Sequence, residues 1–263
     1  MSAFSLMLLL KIAMTAGIVV AASLVVERSG PFVGSMVAAL PTAGGAALII
    51  LAMDHSPEFI AQSAIGSMVS NPIVAIFALT YAALAQRRSL PLSLGVAFLV
   101  WFACAALSRL VDWTLTTALL LGAVVFPLTI IAGSRFRAES AVKAKVAFTA
   151  RDLAWRAAVV TLCVVVVTAL SSTIGSYFSG VFVFFPVAMG SYFVILHPRI
   201  GGPATASVAA HVQAPLIGLG LGLIAIYALA ETAGVWWSYA IGLAVAIAWN
   251  AALWAWRSYQ KLA

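Results

Sequence analysis

Residues 31–54 read PFVGSMVAALPTAGGAALIILAMD, and the only charge among these 24 residues is Asp54 at the end. An apolar run of this length can cross the roughly 30 Å hydrocarbon core of a bilayer as a helix. Its centre, however, is Pro41-Thr42-Ala43-Gly44-Gly45. Proline removes one helical hydrogen bond and crowds the preceding turn, and the glycines lower the cost of unwinding. Backbone groups freed at that depth must be satisfied by protein, trapped water or a ligand. The run therefore reads as a membrane helix interrupted near its midpoint.

The rest of the chain has the same solvent. Of 263 residues, 14 are Lys or Arg and 7 are Asp or Glu, so 8% are charged, against roughly 25% in an ordinary soluble domain. The hydrophobic fraction is 64% and the mean hydropathy +1.13. A water-soluble fold of this size has too little interior to hide so much apolar surface. The fold class expected is an all-α polytopic membrane protein. Despite a net charge of +7, nucleic acid is excluded as a partner, because the basic residues lie between apolar runs and orient the chain. Cys104 and Cys163 sit inside apolar runs and give neither a disulfide framework nor a metal cluster.

Nine runs are long enough to be spans: 5–26, 32–53, 59–85, 90–108, 114–134, 156–174, 180–197, 204–230 and 235–256. Short connections join them, with breakers such as Ser29-Gly30-Pro31 and Gly201-Gly202-Pro203. The polar stretch 135–155 is the exception and holds most of the charge. The start of the chain lacks the positive residues of a cleavable signal peptide, so none is expected. With nine crossings, one face collects Arg28, Arg87, Arg88, Arg135, Arg137, Lys143, Lys145, Arg151, Arg156, Arg199, Arg257 and Lys261, and the other Arg109 alone. Basic residues collect in the cytoplasm. The expectation is a multi-pass protein of a bacterial-type plasma (inner) membrane, N-terminus outside and C-terminus cytoplasmic. Re-entrant hairpins at 32–85 and 180–230 would leave the charge count unchanged, so both topologies stay open.

Sliding the chain along itself gives a match at an offset of 145 residues. Lys11 falls on Arg156, Gly30 on Gly175, Pro41 on Pro186 and Gly45 on Gly190. After Ile50-Leu51, which falls on Ile195-Leu196, a two-residue gap carries the match on to Ala61/Ala204, Val69/Val212 and Pro72/Pro215. Units starting at the first and sixth spans enter the membrane in opposite directions, which is the inverted repeat of many secondary transporters. The division expected is 1–110 for the first repeat, 111–155 for a connector helix and basic cytoplasmic segment, and 156–263 for the second repeat.

The run Phe32-Val33-Gly34-Ser35-Met36-Val37-Ala38-Ala39-Leu40-Pro41-Thr42, with Gly66, Asn71-Pro72, Arg87-Arg88 and Leu90-Pro91-Leu92, resembles the small GlpM-type integral membrane proteins. The resemblance covers roughly 28–109. Such proteins look like single units of the repeat, which would make this chain a tandem, inverted duplicate. The second half departs from the pattern, with Val187 where the first has Thr42. The resemblance implies an architecture and carries no substrate.

Candidate binding residues follow from the breaks and from the polar groups near them. Pro41, Thr42 and Gly45 mark one break, and Pro186 and Gly190 the other. Ser67 and Asn71 lie with Ser63 and Ser70 on one helical face of the third span, spaced three or four apart. Ser207, His211 and Gln213 parallel them in the eighth. Polar side chains in lipid point inward, either bonding another helix or lining a cavity. Packing kinks and interhelical bonds are the plainer readings of the same residues. His211 could switch protonation near neutral pH and couple transport to protons, or hydrogen-bond as a neutral core residue. His55 and His197 should lie on opposite faces, so no metal site is expected. Lys11, one turn inside its span, reads as snorkelling to the interface, and 135–155 as an amphipathic segment on anionic lipid.

No phosphate loop, nucleophile elbow or intramembrane Asp pair occurs, so neither an enzyme nor a cofactor is expected. The function expected is a secondary transporter or facilitator of a small neutral or anionic solute, by alternating access at the repeat interface. The other reading is a non-transporting membrane scaffold or lipid-handling subunit. Expected partners are the lipid bilayer, a small-molecule solute and, as one option, a second copy in a homodimer.

Overall fold

The computed structural model describes residues 42–137 and 149–260, with short pieces at 13–17 and 20–21. Its elements are α1 (Thr42–Asp54), α2 (Pro57–Leu84), α3 (Leu90–Leu107) with a 3-10 turn (Ser108–Leu110), and α4 (Leu115–Ser134). There follow α5 (Ala150–Val183), α6 (Val187–Ile200), α7 (Gly202–His211), α8 (Gln213–Leu229) and α9 (Val235–Gln260). Lys11, Pro41, nearly all of 5–26, the first part of 32–53 and the stretch 138–148 with Lys143 and Lys145 lie outside the described residues.

Local sequence sets the helix ends. Ser56 accepts from the Phe59 amide and Pro57 takes the first helical position of α2, where its missing N–H has no partner to lose. Thr114 with Thr117, and Thr149 with Asp152, close reciprocal capping boxes at the starts of α4 and α5. Within α5 the backbone turns at Gly175, whose φ of 79° and ψ of 171° suit a residue without Cβ. This leaves a long limb, 150–174, and a short limb, 176–183. Phe184, Phe185 and Pro186 then separate the short limb from α6.

Among the described residues, six segments are long and apolar enough to cross a membrane: Pro57–Leu84, Leu90–Leu110, Leu115–Ser134, Ala150–Ile200, Gly202–Leu229 and Val235–Trp256. Nine were expected. Two of the expected runs, 156–174 and 180–197, fall inside the single apolar stretch Ala150–Ile200. The described part of 32–53 is α1, whose 13 residues rise only about 20 Å. The exposed surface fits a bilayer. Leu99, Leu120, Ile131 and Leu162 are 59–70% exposed, which water would penalise. On α9, Trp236 and Trp237 stand exposed at one end and Trp254 and Trp256 at the other. Trp236 and Trp254 are about 27 Å apart along the axis, the spacing of two interfacial aromatic belts.

The core is built around α2, which is 72% buried over its most apolar window, against 17% for α4. Small residues let other backbones come close to it. A Cβ added at Gly66 would strike the Tyr177 carbonyl, and one at Gly180 would strike the Ser63 carbonyl, so α2 and the short limb of α5 touch backbone to backbone. At the end of α2, Gly202 lies against the Ala85 carbonyl. Nearby, Arg199 pairs with Asp152 at 2.6 Å, tying the end of α6 to the start of α5. At the opposite end of the bundle, His55 meets Ser171 at 2.7 Å.

Helix boundaries recur along the chain. Thr42 and Val187, Pro57 and Gly202, Leu84 and Leu229, and Leu90 and Val235 begin or end elements at an interval of 145 residues. The sequence match drops two residues after Leu51, whereas the boundaries keep one interval. The internal prolines Pro72 and Pro215 are 143 residues apart and so do not share that interval.

Candidate functional site

Two places carry the predicted residues. The first is the break between α5 and α6. Pro186 caps α6 with φ −75° and ψ 38° and no side-chain bond, so the first amides of α6 start without a side-chain acceptor. The Phe184 ring lies over Gly44, where a Cβ would stand 2.9 Å from its Cε1. The first turn of α1 and the break before α6 are therefore in contact. Thr42 opens α1 and Gly45 is half-buried. Gly190 does not face an open site, because the Phe98 ring fills the space a Cβ would take.

The second place is the crossing of α2 with α8. Asn71 Nδ2 donates to the Leu216 carbonyl at 2.8 Å, and Gln213 Nε2 donates to the Ala75 carbonyl at 3.1 Å. Each amide thus reaches across to the other helix within a turn of the opposite amide; Pro72 directly follows Asn71, and Pro215 lies two residues after Gln213. Pro72 gives no N–H to the Met68 carbonyl and Pro215 none to that of His211, so both carbonyls lose their ordinary helical donor. Asn71 and Gln213 are 1% and 0% exposed, and their amide oxygens have no hydrogen-bond partner. Ser70 Oγ, on the neighbouring residue, is likewise buried and unpartnered.

The other predicted polar groups bond within the bundle. Ser67 Oγ donates to the Gly180 carbonyl at 3.0 Å, which is the interhelical role. Ser207 is fully buried. His211 Nδ1 lies 2.7 Å from the Ser207 carbonyl; a carbonyl only accepts, so Nδ1 carries the proton and Nε2 is the remaining nitrogen. His55 and His197 are held apart, the latter 2.7 Å from the Tyr81 hydroxyl. Among the described residues no three His, Cys, Asp or Glu side chains gather as a metal site.

Three features escaped the sequence reading. Arg156 is 6% exposed, its guanidinium 5.1 Å from the Tyr192 ring centre, rather than a cytoplasmic boundary charge. Its alignment with Lys11 was the available signal. Arg137 Nε reaches the Ala210 carbonyl at 3.4 Å, which puts a cation next to the α7–α8 junction. A groove of about 280 Å³ runs between α2, α4 and α8, lined by Met68, Ala118, Gly122, Phe126, Ile217 and Gly220, with no polar side chain among its lining residues.

No family model, no curated protein and no solved structure matches the chain.

Proposed function

We propose that the protein is a secondary transporter or facilitator of a small neutral or anionic solute, working by alternating access between two inverted repeats. The observation that carries this reading is the reciprocal pair of amides at the α2–α8 crossing. Two helices that carry a proline, Pro72 inside α2 and Pro215 in the first turn of α8, each send a buried amide to the other and keep an unsatisfied oxygen. Buried acceptors without partners are costly, about 1–3 kcal/mol each, and such a cost is tolerated where a ligand relieves it. The recurrence of helix boundaries at one interval supports the repeat, with units 1–110 and 156–263 and a connector at 111–155. The likeness of 28–109 to GlpM-type proteins fits one such unit. In this reading the full chain crosses nine times, N-terminus outside and C-terminus cytoplasmic, and His211 is the proton-coupling residue.

The test is flux. Purified protein in liposomes is challenged with a panel of labelled neutral and anionic solutes, and uptake above protein-free liposomes is measured. If no solute enters, the transport reading fails. The apolar groove between α4 and α8 favours the lipid-handling reading as the second choice, since an acyl chain suits its lining.

A further inference from the structure

We infer that the solute taken at the α2–α8 crossing is neutral and rich in N–H or O–H donors, of the urea and primary-amide class. The inference rests on the transport reading above and narrows it. The orientation of both amides is fixed by their partners. Leu216 and Ala75 present carbonyl oxygens, which accept only from the amide nitrogens; a flipped amide would set oxygen against oxygen. The amide oxygens therefore face away from those bonds, buried and without partners.

What they offer is acceptor capacity. Asn71 Oδ1 and Gln213 Oε1 are buried without partners, and Ser70 Oγ, one residue before Asn71, is a third such oxygen. An anion without an O–H or N–H, such as formate, would meet these oxygens as repulsion, since it brings no hydrogen to donate. A cation would find no carboxylate among the residues of the crossing and would approach Arg137, whose Nε is 3.4 Å from the Ala210 carbonyl. A neutral molecule with several donors satisfies the oxygens and brings no charge into a low-dielectric interior. Sites that hydrogen-bond a substrate N–H or O–H also reject analogues lacking it, because the polar groups are then left unpaired.

The test uses radiolabelled urea in proteoliposomes of the full chain. Uptake should exceed that of protein-free liposomes at least tenfold. Unlabelled acetamide should compete, whereas N,N-dimethylacetamide and formate at the same concentration should not. Asn71→Leu and Gln213→Leu, checked for a monodisperse folded protein, should each reduce uptake at least tenfold. The methyl-blocked competitor needs no variant, so the outcome stands even where a substitution impairs folding. If formate enters through the protein while urea does not, this inference is overturned and transport survives. Equal competition by acetamide and its dimethyl derivative overturns it too. Unchanged urea uptake in both folded leucine variants does the same.

Discussion

Gly66 of α2 and Gly180 of α5 are mutually required: each leaves room for a carbonyl of the other helix, that of Ser63 above Gly180 and that of Tyr177 above Gly66. Neither carbonyl belongs to a side chain that could turn aside. Gly66→Ala should therefore lower stability by about 1–3 kcal/mol, the usual cost of overpacking, or cut folded yield. Gly95→Ala, with open space around its α-carbon, should be neutral. Thermal unfolding in detergent reads both, and equal melting temperatures would remove the close contact from the account.

Between the same helices, Ser67 Oγ donates to the Gly180 carbonyl. Interhelical hydrogen bonds in membranes average about 0.6 kcal/mol. Ser67→Ala should cost about that and leave uptake intact, because the bond holds helices rather than solute. A variant that folds normally but no longer transports would place Ser67 at the solute instead.

Arg156 and Tyr192 test a buried cation on a ring. Such contacts contribute about 0.5–2 kcal/mol. Tyr192→Phe should keep most of that contribution and Tyr192→Leu should lose it. Unfolding midpoints measured for the two variants should differ in that order; a reversed order would mean that the ring is incidental.

Topology turns on α2. Glu58 and Ser89, both exposed, flank it. After Cys104 and Cys163 are replaced, single cysteines from Glu58→Cys and Ser89→Cys should react with an impermeant thiol reagent from opposite sides of the membrane. Labelling from one side only would make α2 part of a re-entrant hairpin.

His211→Gln can still donate to the Ser207 carbonyl but cannot titrate. If His211 couples transport to protons, uptake by the variant should be flat across about pH 5 to 8, where the parent protein responds. An unchanged profile would leave His211 a structural donor.

Much of this was legible in the residues. Gly201-Gly202-Pro203 marks a break because proline and glycine chemistry is local, and the structure begins α7 there; the run 114–134 likewise coincides with α4. The break at Pro186 was read from the same chemistry. Partners were not legible. Helical spacing places Ser67 and Asn71 on one face, yet nothing in that spacing says that one bonds the short limb of α5 and the other α8. Gly190 marks the second break in the sequence, yet the space beside it is filled by the Phe98 ring of α3. The burial of Arg156 was missed for a related reason. A charge seven residues inside a helix reads as an interfacial one until the ring that covers it is known, and Tyr192 lies on another helix.

The glycine contact also divides the molecule into what can move and what cannot. Because α2 and limb 176–183 meet through their main chains, there is no layer of side chains between them to slide or repack. The two segments behave as one solid piece. Any rearrangement that opened the bundle would have to be taken up at the ends of that limb, at Gly175 on one side and at 184–186 on the other. The long limb of α5 would then be the part that swings, whereas α6 stays with α2 through Tyr81, which stacks on Phe193 and meets His197 at 2.7 Å.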